Sequence, residues 1–247
     1  MKNPILLLLI VLACGLRAED KPVTENGGGK EDKKIEAPTP SQADPKHEPP
    51  EGEDASRVQV ANLIYAGVRS SVCFSDHFLL QTETDSSIST SRRFHPVKSS
   101  SDELFKHPFA LMTGEGSYAL LENERANLKK YLENGGFLLA SASCSSPEWD
   151  RAFRSEMGKL FPDKPLKAIP LSHKLFKTVY DIKAIQTKHG APKPIEGIEI
   201  NGRIAVVYSA DGLNSTAHVH GCCCCGGNEI VNCDEINVNI LAYALTH

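Results

Sequence analysis

The chain has 247 residues, with 27 Lys and Arg against 31 Asp and Glu, a formal net charge of −4, and eight cysteines. Eleven acidic and five basic residues lie between Glu19 and Ser56, which leaves 20 of each sign from Arg57 onward. So even a balance lacks the clustered Lys and Arg on which phosphate contact relies, and it excludes an electrostatically driven nucleic-acid binder.

From Ile5 to Leu12 the chain is apolar, too briefly to span a bilayer as a helix and too strongly for a soluble terminus. Residues 1–18 therefore read as a signal peptide, with cleavage after Ala18 or, alternatively, before Cys14 in the lipobox-like Val11-Leu12-Ala13-Cys14. The second cleavage would leave Cys14 as a lipid-bearing N-terminus and the only membrane attachment. Either predicts export to the periplasm or cell envelope. Residues 19–56 are rich in Pro, Gly and charge and hold no aromatic residue. Such a segment buries too little apolar surface to offset the entropy of ordering, so a disordered acidic linker is expected.

Residues 57–247 suffice for one well-cored domain and are too few for two. Val58 to Tyr65 has the β-branched, apolar character of a buried strand ended by Ala66-Gly67, and a short helix is expected around Asp76 to Thr82. Phe109 to Thr113 is a second apolar run, stopped at Gly114-Glu115-Gly116. Leu120, Leu121, Leu128, Tyr131 and Leu132 then recur at helical spacing up to Asn134-Gly135-Gly136. Phe137 to Ala140 shows no polar alternation, as when helices cover both faces of a strand. Pro147 suits the first turn of a helix carrying Trp149, Phe153, Met157 and Leu160. Ile198 to Ile200 and Ile204 to Tyr208 flank Asn201-Gly202, the signature of a type I′ hairpin. A last helix is expected from about Asp234 to Leu245. Strands alternating with amphipathic helices predict an α/β fold of three layers, its sheet mostly parallel with one antiparallel hairpin.

Several segments carry a family resemblance. Pro108 to Gly116, Asn127 to Leu138, Phe153 to Glu156 with Leu160-Phe161-Pro162, Pro170 to His173, Gly197 to Ile200, Gly202 to Ser209 and Asn237 to Thr246 together resemble the bacterial domain-of-unknown-function family numbered 4159. The resemblance implies a flavodoxin-like fold of the class I glutamine amidotransferase type, in exported or membrane-attached proteins, and brings no particular activity. The chain departs from the family pattern at Lys174, where Pro commonly follows the His, and in its Cys-rich loop.

Two clusters carry potential chemistry. In amidotransferase-like folds the nucleophilic Cys sits on a sharp strand-to-helix turn, where helix N-terminal amides lower the thiol pKa. Cys144 lies at such a place, but among Ser and Ala where the amidotransferase elbow has glycines. The expected base would be His218 or His220, and the acid that should orient it is missing from His218-Val219-His220. With that partner missing, Cys144 reads more readily as a loop thiol or disulfide partner. In the second cluster, Cys222 and Cys225 have C-x2-C spacing, and a His (His218 or His220) with Cys233 would complete a tetrahedral shell for zinc or copper. Export favours oxidation of the same thiols to disulfides, and with Cys14 removed the seven remaining leave one thiol unpaired or paired between chains. A glycine-cysteine surface loop with no defined role is the third reading of this segment.

Other polar residues have plainer uses. His173 reads as a turn cap, Trp149 as core, Arg203 as solvated, and Asp150 with Arg154 as an i,i+4 pair. Gly114-Glu115-Gly116 stands where open α/β sheets bind ligands but is too short for a phosphate loop. Three functional readings follow: a non-enzymatic binding or assembly module that needs no cofactor and meets an envelope protein or small ligand; a Cys-dependent hydrolase or amidase using Cys144; and a metal-binding module at the 218–233 loop.

Overall fold

A computed structural model describes residues 56–67, 73–222 and 226–247. The signal peptide, Cys14, all of the 19–56 linker but its last residue, and Cys225 lie outside the described residues. Seven strands, β1 (Val58–Ile64), β2 (Thr90–Lys98), β3 (Phe109–Gly114), β4 (Phe137–Ala142), β5 (Lys167–Ala168), β6 (Glu196–Ile200) and β7 (Arg203–Ser209), form one sheet in the order β2-β1-β3-β4-β7-β6-β5. Its first five members are mutually parallel, and β6 and β5 extend the sheet antiparallel. The fold is therefore α/β with a mostly parallel sheet, and the parallel part has the doubly wound order of flavodoxin-like proteins.

Side chains alternate across this sheet and meet a helical layer on each side. Ala110, Met112, Leu138, Ala140, Val206 and Tyr208 face one core, which α2 (Glu122–Glu133) and α3 (Pro147–Leu160) close with Leu128, Leu132, Trp149 and Phe153. Phe109, Leu111, Phe137, Leu139 and Val207 face the other, closed by α1 (His77–Asp85) and α4 (Cys233–Thr246) through Phe78, Leu79, Ile236 and Ile240. Residues of β3 and β4 are buried on both sides, which explains their unbroken apolar composition.

Helix ends follow local chemistry. Ser146 Oγ accepts from Trp149 N–H at 3.3 Å and Pro147 occupies the first turn, fixing the start of α3. Glu124 starts α2 differently: its carboxylate accepts from the backbone N–H of Leu121, and also from Ala66 and Gly67 just after β1. One buried carboxylate thus anchors two loops at the same sheet edge.

Two expectations need amendment. β2 was not expected from the sequence, because Arg92, Arg93, His95 and Pro96 break its apolar pattern. An edge strand tolerates this, since one side of its ladder has no partner and Pro there forfeits no sheet hydrogen bond. Arg203 is not merely solvated: its guanidinium donates to the carbonyls of Gly135 and Gly136 and ties the β6–β7 hairpin to the turn before β4. The hairpin turn has the expected positive φ at Asn201 (53°) and Gly202 (81°). His173 caps a turn as expected, its Nδ1 accepting from Leu175 N–H at 3.2 Å.

Candidate functional site

The parallel strands point their C-terminal ends at one edge, where β3 runs into Gly114-Glu115-Gly116, β4 into Ser143–Ser146 and β7 into Ala210–Ser215. Gly114 is required there by packing. A Cβ at this position would lie 2.4 Å from Tyr65 Oη and 3.0 Å from Trp149 Nε1, two groups already joined by a 2.8 Å hydrogen bond. Gly116 N–H donates to Ser146 Oγ at 3.2 Å, so this amide is used inside the fold.

After β4 the chain turns sharply, with Cys144 at φ 50°, ψ 28° and Ser145 at φ 55°. Non-glycine residues avoid this left-handed region because Cβ crowds the following carbonyl. The turn is held from several directions. Ser145 Oγ donates to Asp211 O at 2.9 Å and accepts from Asn228 N–H at 2.8 Å. Gly227 lies against the Cys144 backbone, where a Cβ would meet its carbonyl carbon at 2.7 Å. Cys144 itself is disulfide-bonded.

Beneath this turn Asn214 is the hub of a buried polar web. Its Oδ1 accepts from Ser141 Oγ at 2.7 Å, and its Nδ2 donates to Ser143 Oγ at 2.7 Å, to Thr113 Oγ1 at 3.3 Å and to Cys73 O at 3.2 Å. Ser141 Oγ also accepts from Leu213 N–H at 2.8 Å. Such a web fixes the ends of β3, β4 and β7 relative to one another.

The residues expected to carry chemistry are distributed differently from the expectation. Cys222 is bonded to Cys73, with a Cα–Cα separation of 5.7 Å, so this sulfur is not a thiolate ligand. Cys233 is a free thiol, buried at the start of α4. Burial, followed by the Asp234 charge, pushes its pKa up to about 12, against the lowering effect of a Ser215 hydrogen bond. A thiol so shielded is packing, not a nucleophile or a ready ligand. His220 is exposed. His218 turns towards Asp234 and stacks on His77, with ring centroids 4.3 Å apart and planes 6° from parallel. His77 and Asn214 were not singled out from the sequence, and Asp234 was read only as a helix start.

A cavity of about 420 Å³ lies at the antiparallel side of the sheet, lined among others by Lys164, Lys167, His173, Glu199 and Ile204. Burial, followed by the Lys174 charge, lowers the His173 pKa below its ordinary value, which favours a neutral ring beside this cavity.

A family model described as Domain of unknown function (DUF4159) matches residues 68–245. The chain belongs to this family. Comparison with curated proteins finds no match. The DUF4159 span begins just after β1 and takes in the Cys144 turn, the Asn214 web, the Cys73–Cys222 link and the His77, His218 and Asp234 group. The elements that build this sheet edge are thus shared between the DUF4159 domain and one strand, β1, that precedes the match.

Proposed function

We propose that this chain is an exported, amidotransferase-like binding or assembly module that does not use Cys144 for catalysis. The carrying observation is that Cys144, placed on a left-handed turn after β4 as a nucleophile would be, is disulfide-bonded. A disulfide sulfur has no lone thiolate to attack a carbonyl, and the hydroxyl groups around it are already spent on Asn214 and Asp211. The Cys73–Cys222 link fits the same picture, because disulfides persist in oxidising compartments such as the periplasm. Export by the signal peptide at 1–18, a spacer over 19–56 and, if cleavage precedes Cys14, a lipid anchor would place the domain in the envelope. Its partner there would be a protein or a small ligand.

An electrophilic thiol probe tests this reading on the full chain at neutral pH, before and after mild reduction. The expected result is no preferential modification of Cys144 in either state. Fast, selective labelling of reduced Cys144 that falls in His218→Gln or His220→Gln would overturn it in favour of a Cys-dependent hydrolase.

A further inference from the structure

Away from the Cys144 turn, three separate elements bring metal-ligating atoms together. His77 is the first residue of α1, His218 ends the short turn 216–218, and Asp234 lies in the first turn of α4. Asp234 Oδ2 is 3.5 Å from His77 Nδ1 and 3.6 Å from His218 Nε2, and one ligand atom from each residue falls within 4.8 Å of the others. We propose that His77, His218 and Asp234 form a binding site for a zinc-type divalent ion, with one coordination position open to solvent. The site shares only His218 with the thiol-rich set read from the sequence.

Donor chemistry and geometry both support it. Two imidazoles and a carboxylate are the donors of zinc sites that keep an open position, and metal bonds near 2.0–2.1 Å put tetrahedral ligand atoms about 3.4 Å apart. The two imidazole–carboxylate separations are already close to that edge. What must change is the stack, since parallel rings cannot both aim an in-plane lone pair at one ion. His218 can make that change at little cost, because 42% of its side chain is exposed. Asp234 has acceptor capacity to spare: Oδ2 accepts from Ser215 Oγ at 3.2 Å, while the buried Oδ1 has no hydrogen-bond partner among the described residues.

The backbone around the site is preset. Ser75 N–H donates to Asn214 O at 2.8 Å, Asn214 Nδ2 donates to Cys73 O at 3.2 Å, and Cys73 is bonded to Cys222. These three links join the segment just before His77 to the loop that carries His218. His77 N–H in turn donates to Ser75 Oγ at 3.1 Å. Metal uptake would therefore require side-chain rotation without loop closure, which keeps the ordering cost small.

The test uses the full chain with its disulfides intact, stripped by a chelator and titrated with Zn²⁺ by calorimetry, then with Co²⁺ by absorption. One equivalent of Zn²⁺ and a Co²⁺ spectrum without thiolate charge-transfer bands are expected. His77→Gln and Asp234→Asn should each weaken binding at least about tenfold, with circular dichroism unchanged, and His189→Gln on the exposed surface should bind as the parent does. Absence of Zn²⁺ uptake would overturn the proposal. So would uptake that survives both substitutions, or a thiolate signature abolished by alkylation.

Discussion

Cys144 and Ser145 both occupy positive φ, at a cost of about 1–3 kcal/mol each. Strain of this size persists only where neighbours over-determine the backbone, and here they do so through Ser145, Gly227 and the Asn214 web. Asn214→Ala would leave Ser141, Ser143 and Thr113 without their shared partner in a buried site. A loss of about 2–4 kcal/mol in unfolding free energy is expected by denaturant titration, and a loss below about 1 kcal/mol would show that water replaces the amide. Cys233 illustrates the opposite use of a sulfur. With its pKa raised to about 12, the thiol stays protonated at neutral pH, and alkylation in the native state should be negligible until denaturant is added. The linkage has a definite sign. A folded-state value above that of the unfolded chain means that Cys233 costs no stability below about pH 8.5 and makes the fold progressively weaker as pH rises towards 12. Rapid labelling of native Cys233 at neutral pH would contradict this account.

At the level of elements, the ends of β1, β3 and α3 meet where Tyr65, Gly114 and Trp149 interlock. Gly114→Ala would drive a methyl into the Tyr65–Trp149 hydrogen bond, and a destabilisation of about 1–3 kcal/mol is expected in thermal or chemical unfolding. An unchanged midpoint would mean that the pair shifts without loss. These elements were legible in the sequence for a physical reason: β3 and β4 are covered on both faces, and α2 and α3 bury one stripe each, so their apolar residues fall in runs and helical repeats. β2 was illegible because an edge strand answers to one neighbour only, and Arg92, Arg93 and Pro96 cost it little. Buried asparagines escaped notice for a related reason. Asn239, on the buried middle of α4, accepts from the N–H groups of Val179 and Tyr180 and donates to Tyr180 O, which pins a loop that has no periodic signal of its own.

Across the whole molecule, the doubly wound sheet brings distant segments to one edge, and covalent links fasten them there. Cys73 and Cys222 are 149 residues apart, and closing so long a loop removes denatured-state entropy worth up to about 5 kcal/mol. One candidate site became visible only at this scale. Cys144 was readable from its place between an apolar run and Pro147, whereas His77, His218 and Asp234 are joined by the packing of α1 on α4 and by the 73–222 link, neither of which has a sequence signature. Disulfides were one of the readings of the late cysteines, but the pairing of Cys222 with Cys73 could not be read, because connectivity leaves no mark in sequence spacing. The most direct measurement is disulfide mapping of the full chain by mass spectrometry after secretion, with free thiols blocked before proteolysis. The account predicts a Cys73–Cys222 cross-link, Cys144 recovered only in a disulfide, and Cys233 as a free thiol blocked only after unfolding; a blocked, free Cys144 in the native protein would contradict it.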